Sequence, residues 1–375
     1  MTSYRGGSQR CPGNLKPNSH RPERFFHDMS ADNRPDTFKK KKELALLRTA
    51  YDLERYDYQE SERPDFILKH KGATEGNFGV EITELFVNES DARLTNIQGY
   101  FDDIITGKAN RKGSPYRHAD DVAGLPVESV TVTDKDGNVK YESLRVIFRE
   151  FTPEDQHGRR LAARIAEKNR LVADYLNRVD RVDLVVYDWM EAGPPIGESH
   201  AVNDLLVGEL REALNDSRFG EVYLVSTTLD GDEVYRPLRL LCLLEAAYIF
   251  THSFEETPEL VENMELEQAT AVFAHAARAR DLNVGYASDG EALVLYGGVG
   301  MQFVESGVQF IEFDGVNPNT SAELPIPAID EERLSAIIDH YVSVSKRGLF
   351  QSGLVYPAHI PIGVSMGWKS QSAED

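Results

Sequence analysis

Hydrophobic and polar positions change period several times along the chain. Residues 39–57, KKKKELALLRTAYDLERYD, bring Leu46, Leu47, Ala50 and Tyr51 onto one face at about 100° per residue and predict an amphipathic helix. RPDFILKHK, opened by Pro64, and FGVEITELFV read as strands joined by the turn GATEGN, hence as a β-hairpin. Residues 93–107 read as helix, and 127–148 as a second hairpin turning at Asp136-Gly137. A long helix spans 156–179. The uninterrupted apolar run VDLVVYDW (182–189) predicts a buried central strand. A helix over 204–216 and a strand over 221–228 follow, and strand, helix, strand in that order predicts a βαβ unit. Beyond 231 come the apolar helix RPLRLLCLLEAAYIF, an Ala-rich helix near 266–280, strands near 293–296 and 307–313, and a helix at 331–346. Residues 1–38, rich in Pro, Asn, Ser and Arg with no hydrophobic period, read as a disordered basic arm. Met29 is a candidate for the true start.

Length and composition narrow this picture. At 375 residues the chain has room for two domains, or for one large domain with insertions. Its 41% hydrophobic and 27% charged residues exclude a collagen, a low-complexity chain and wholesale disorder. The pattern predicts no transmembrane helix and no secretory signal, and the two cysteines, Cys11 and Cys242, cannot build a zinc quartet or a disulfide framework. A cytoplasmic protein is the expectation. The net charge of −21 argues against non-specific coating of nucleic acid, which draws its affinity from phosphate neutralisation. It leaves room for an enzyme meeting DNA through one local patch. The charge is uneven: residues 1–42 hold ten Lys/Arg against four acidic residues.

Four charged positions fall where apolar residues belong. Asp65 follows Pro64 at the start of a strand, and Glu81 sits in the next strand within Gly79-Val80-Glu81-Ile82-Thr83-Glu84. A buried acid is costly without a partner, and two such oxygens at one spot suit a hard cation such as Mg²⁺. Glu43 and Glu54 both fall in the middle of the apolar face of the 39–57 helix. Lys168 falls within the stripe of Leu161, Ile165, Val172, Tyr175, Leu176 and Val179, whereas Arg160, Arg164 and Arg170 avoid its centre. Each position taken singly also has a purely structural reading: hairpin flanks for Asp65 and Glu81, a solvated helix end for Glu43 and Glu54, a snorkelling stem for Lys168. Jointly they point to a site. Crowded carboxylates repel, so at least one of Asp65 and Glu81 is expected to titrate above its ordinary value.

RPDF…GVEITEL resembles the PD-(D/E)XK nuclease superfamily, in which an Asp after Pro is followed on the next strand by Glu-x-Lys. Pro64-Asp65 matches the first element, Glu81-Ile82-Thr83 the second, and Glu43 the helix glutamate, with Glu54 as runner-up. Thr83 stands where the motif has lysine. In some branches that lysine moves to a neighbouring helix, which implies Lys168 here. The likeness covers about residues 40–228. It implies an α/β fold: a mixed central sheet flanked by helices, a restriction-endonuclease-like core over 39–230 with an inserted hairpin region at 88–155, and an α/β C-terminal extension over 231–375. The implied activity is metal-dependent endonuclease action, with DNA the favoured substrate, RNA a second one, and no membrane partner. Asp65 and Glu81 would hold Mg²⁺ or Mn²⁺, joined by Glu43. Lys168 would serve catalysis, and Thr83 would hydrogen-bond a water of the ion. The alternative is a degenerate nuclease fold serving as a protein-binding or immunity-like module.

Other motifs carry less. Gly363-Val364-Ser365-Met366-Gly367 matches a nucleophile elbow but no histidine follows it. Gly297-Gly298-Val299-Gly300 lacks the third glycine of a dinucleotide loop and reads as a turn between strands. Asp134-Lys135-Asp136-Gly137 has the wrong spacing for an EF-hand, and no P-loop is present. His157 reads as a solvated loop histidine.

Overall fold

The structure, a computed structural model, describes residues 35–73, 76–97, 99–106, 127–147, 154–189, 208–227, 233–255, 257–287, 292–305, 307–312 and 323–346. Residues 1–34 of the basic arm, Met29 and Cys11 among them, and the segment around Ser365 lie outside these.

Helix α1 (Pro35–Ala50) leads into β1 (Tyr56–Glu60), β2 (Phe66–His70) and β3 (Phe78–Leu85). Short helices α2 (Glu89–Asn96) and α3 (Tyr100–Ile105) precede the hairpin β4 (Val127–Thr133) and β5 (Val139–Ile147). Then come α4 (Glu154–Asn169), α5 (Val172–Tyr175), β6 (Arg181–Asp188), α6 (Glu209–Asp216), β7 (Val222–Thr227) and β8 (Glu233–Pro237). The remainder is α7 (Leu238–Ser253), α8 (Leu266–Ala279), β9 (Gly285–Ala287), β10 (Leu293–Tyr296), β11 (Val299–Val304), β12 (Gly307–Glu312) and α9 (Glu331–Lys346).

Six strands form the main sheet in the order β1-β2-β3-β6-β7-β8. β3, β6 and β7 run parallel, while β1, β2 and β8 are antiparallel to their neighbours. The protein is therefore α/β with a mixed central sheet flanked by helices, the class that the pattern predicts. Strand β6 is buried along its whole length, as its apolar run requires. One sheet face packs on α1 through Leu46, Leu47, Ala50 and Tyr51, which meet Phe66, Val80, Ile82 and Val185. The opposite face meets α4, α6 and α7 in a larger cluster containing Leu161, Ile165, Leu184, Val186, Leu224 and Leu241. That cluster continues to Tyr341 on α9 and into the second sheet, ordered β12-β11-β10-β9. The Gly298 N–H donates to Gly220 O at 2.6 Å and ties the two sheets together.

Several elements differ from expectation. Helix α1 begins at Pro35, inside the presumed arm, and ends at Ala50 rather than 57. Asp52 ends it. Its side chain accepts the Glu54 N–H at 3.1 Å and its carbonyl accepts the Arg55 N–H at 2.9 Å, a local turn that competes with helical bonding. Tyr56 then enters the core edge-on to Tyr51 and Phe78, and the segment pairs with β2 as an edge strand. The helix read over 93–107 is two short ones, because Gly99 adopts a left-handed conformation (φ 75°) ahead of α3. The helix read over 156–179 stops at Asn169, whose amide donates to Asp216 O at 3.0 Å and accepts the Arg218 N–H at 2.8 Å. Arg236 and Pro237 belong to β8 rather than to α7, and Gly300 lies in β11 beyond the Gly297-Gly298 turn. Helix 204–216 is seen from Glu209, and residues 204–207 lie outside the described residues.

Candidate functional site

The antiparallel register of β2 and β3 pairs Phe66 with Val80 and Ile67 with Gly79. Continued by one residue, it sets Asp65 opposite Glu81. Val80 and Ile82 belong to the core beneath α1, so alternation turns Glu81 and Thr83 to the face covered by α4. Asp65 is held at the mouth of this pair: the Ile82 N–H donates to its Oδ2 at 2.9 Å. Gly79 makes room for Pro64, since a Cβ at 79 would overlap the Pro64 ring. Asp65, Glu81 and Thr83 are all buried.

Lys168, in the last turn of α4, reaches across the sheet face. Its Nζ lies 2.7 Å from Glu81 Oε1. The Tyr175 hydroxyl, on α5, lies close enough to the Glu81 carboxylate to feel its charge. The stripe that placed Lys168 among core residues on α4 thus delivers it to the expected partner.

Glu43 projects from α1 and is buried. Lys39 Nζ lies 3.2 Å from its Oε1, and Lys40 Nζ 3.0 Å from its Oε2. Lys40 is the residue that the sequence reading missed. The same ammonium stands 3.2 Å from Asp65 Oδ1, donates to Ser61 O at 2.9 Å and lies 5.7 Å from the centre of the Phe66 ring. Lys40 thereby links Glu43 to Asp65, and Asp65 faces Glu81. The signal for it was present: Lys40 precedes Glu43 by one helical turn on the stripe that continues to Leu47.

Two expectations need correction. Glu54 sits exposed in the turn after α1, because the helix that would have carried it inward has already ended. His157 is not a solvated loop residue. It lies in α4, buried, with Nε2 2.8 Å from Asp188 Oδ2 at the end of β6. A second polar cluster stands at that strand end: Lys42 pairs with Glu84, and the Trp189 indole N–H donates to Glu84 Oε1 at 2.6 Å. Lys42 also lies over the Trp189 ring and donates to Asn96 Oδ1 at 2.9 Å.

Electrostatics follow from the crowding. Burial and the neighbouring Asp65 carboxylate push Glu81 above its ordinary value, and Lys168 and Tyr175 only partly offset them. Burial and the Glu81 charge likewise raise the Tyr175 hydroxyl. For Lys40, burial opposes the charge, but the bonds to Glu43 and Asp65 outweigh it, so the ammonium titrates above the usual lysine range.

Among the described residues no three of His, Cys, Asp and Glu stand together as a group able to hold a metal ion. The donor chemistry is nevertheless that of a hard cation. The oxygens of Asp65, Glu43 and the Ser61 carbonyl already surround a positive charge, the Lys40 ammonium. Mg²⁺ needs only one or two carboxylates because it keeps much of its own water. Asp65 and Glu81 supply two such carboxylates, each paired here with an ammonium.

Among the described residues no helix is long and apolar enough to cross a membrane. Comparison with protein-family models, with curated proteins and with solved structures finds no match.

Proposed function

We propose that the protein is a metal-dependent phosphodiesterase with a restriction-endonuclease-like core, an endonuclease acting on DNA. The observation that carries this reading is one juxtaposition: Glu81 on β3 neighbours Asp65, the residue just before β2, and receives Lys168 at 2.7 Å from a neighbouring helix. Two carboxylates and one ammonium close together where β2 begins beside β3 supply the oxygen ligands and the positive charge that hydrolysis of a phosphodiester with a hard cation would use.

Asp65 and Glu81 are the residues that would hold Mg²⁺ or Mn²⁺, with Glu43 reaching it directly or through water. Such an ion would supply Lewis acidity toward a phosphate oxygen and lower the pKa of a bound water. The Ile82 N–H orients the Asp65 carboxylate through Oδ2, leaving Oδ1 toward the cluster. Tyr175 stands beside the Glu81 carboxylate. Lys168 supplies the positive charge absent from Thr83 and is placed to stabilise charge developing on the phosphoryl oxygens. The Thr83 hydroxyl can contribute a hydrogen bond to water, and no charge.

The test is nicking of supercoiled plasmid by the purified protein with Mg²⁺ or Mn²⁺, with RNA as a second substrate. Lys168→Ala is expected to slow cleavage by about two orders of magnitude or more while metal-induced stabilisation persists. Asp65→Ala is expected to abolish both. One observation favours the second reading, a degenerate fold used as a binding module: Lys39 and Lys40 pair with Glu43, Lys40 also with Asp65, and Lys168 with Glu81, so three ammoniums balance three carboxylates without a metal. A parent protein that cuts neither DNA nor RNA, and whose melting temperature ignores millimolar Mg²⁺ and Mn²⁺, selects that reading.

A further inference from the structure

We infer that Lys40 is a resident counter-cation of the acidic site: its ammonium holds the place between Glu43 and Asp65 and leaves it when a divalent ion binds. This rests on the reading of Asp65 as a metal ligand.

Three oxygens from two segments converge on the Lys40 Nζ. They are Glu43 Oε2 from α1 at 3.0 Å, and, from the connection between β1 and β2, Asp65 Oδ1 at 3.2 Å and Ser61 O at 2.9 Å. An all-oxygen shell of this kind is what a hard cation takes. Without a positive charge inside it, two buried carboxylates would face each other at the cost of desolvation and mutual repulsion.

Lys40 is suited to a reversible role. Its side chain keeps 20% of its exposure, whereas those of Glu43 and Asp65 keep 8% and 9%. The ammonium thus has a way out to solvent that the carboxylates lack. Its flexible four-carbon stem lets the charge swing away without moving α1. Lys39 is different: with 73% of its side chain exposed, it touches Glu43 from outside. Lys168 has the same 20% exposure but is tied to Glu81 and not to Asp65. A divalent ion arriving at Asp65 therefore competes with Lys40 first. The run 39–42, which looks like a solvated basic segment, carries the built-in competitor.

The experiment compares Mn²⁺ binding to the full chain and to Lys40→Met by isothermal titration, with circular dichroism confirming the fold of both. Removing the competing charge is expected to tighten Mn²⁺ binding on the order of tenfold. Lys40→Arg, which keeps the charge, is expected to bind no more tightly than the parent. Lysine-specific reductive methylation of the parent, read by mass spectrometry with the exposed Lys41 as reference, gives a measurement that needs no variant. Lys40 should be protected without metal and become reactive when Mg²⁺ or Mn²⁺ is added. Unchanged or weaker Mn²⁺ binding in Lys40→Met, with Lys40 reactivity indifferent to metal, overturns the inference and leaves Asp65 and Glu81 as ligands. Folded parent and variant that both fail to bind Mn²⁺ overturn the metal reading as well as this inference.

Discussion

Lys168 and Glu81 meet at 2.7 Å although 87 residues separate them in the chain. Glu81 is among the most buried acids of the main sheet, and Asp65 lies opposite it. Burial and that neighbour both disfavour the Glu81 charge, so the Lys168 ammonium is what makes an ionised carboxylate tolerable there.

Lys168→Met should therefore destabilise the fold by about 2 kcal/mol. This is below the range for breaking a fully buried pair, because Lys168 keeps some exposure. Urea unfolding of Lys168→Met, Glu81→Gln and the double variant would measure it. The double variant is expected to recover much of the loss, since no uncompensated charge remains. Strict additivity of the two single effects would show that the pair is not coupled.

Stability should fall as pH rises toward neutrality through Glu221. This buried side chain accepts the Val222 N–H at the start of β7 and the Arg239 and Leu240 N–H groups at the start of α7. Burial nevertheless pushes it from 4.5 to about 7. A carboxyl that binds its proton more tightly when folded contributes stability that is complete below its unfolded value. That stability is lost as pH rises through the folded one. The rise from 4.5 to about 7 corresponds to about 3 kcal/mol, lost between about pH 4.5 and pH 7. Glu221→Gln should flatten the curve of unfolding free energy against pH across that window. Glu81 acts in the same direction, so the two variants must be compared singly and together.

Gly79→Ala should damage the site by way of its neighbour. The new methyl overlaps the Pro64 ring, and the residue after that ring is Asp65. Overpacking of this kind costs about 1–3 kcal/mol. The expected signature is a lowered melting temperature together with weaker Mg²⁺-induced stabilisation. A variant that melts early yet responds to Mg²⁺ as the parent does would show that Asp65 tolerates movement of Pro64.

Tyr51→Phe should cost about 1–3 kcal/mol, although no void is created. The Tyr51 hydroxyl donates to Asp183 Oδ2 at 2.8 Å in a site where Asp183 is wholly buried. Arg181 at 3.1 Å and the Glu221 N–H at 2.9 Å remain as its partners. Tyr51→Leu should cost more, since the ring also packs edge-on against Tyr56 and Tyr223. Equal losses for the two variants would show that the hydroxyl contributes little.

Much of this site could be read from residue order. A strand alternates its side chains, so Glu81 and Thr83 had to share a face opposite Val80 and Ile82. A helix repeats about every 3.6 residues, so Glu43 and Lys168 had to point inward with Leu47 and Ile165. Those periods are properties of the backbone and need no knowledge of the rest of the fold. The same wheel misplaced Glu54 because it assumed that the helix continued. Periodicity is blind to the turn that Asp52 makes once Tyr56 can pair in the sheet. It also passed over Lys40, since a lysine beside three others looks like solvated charge until a carboxylate is known to lie opposite.

Partnership across the fold is a matter of tertiary structure. Glu81 receives Lys168 because β6, not β7 or β8, lies beside β3 and brings α4 over that face. His157 is buried because α4 sets it against Asp188, at the end of a strand distant in sequence. Residue order carries the chemistry of each side chain and the face it takes, since both arise within a few residues of backbone. It does not carry the identity of the group it meets, because that contact depends on strand order and long-range packing, which no local period encodes.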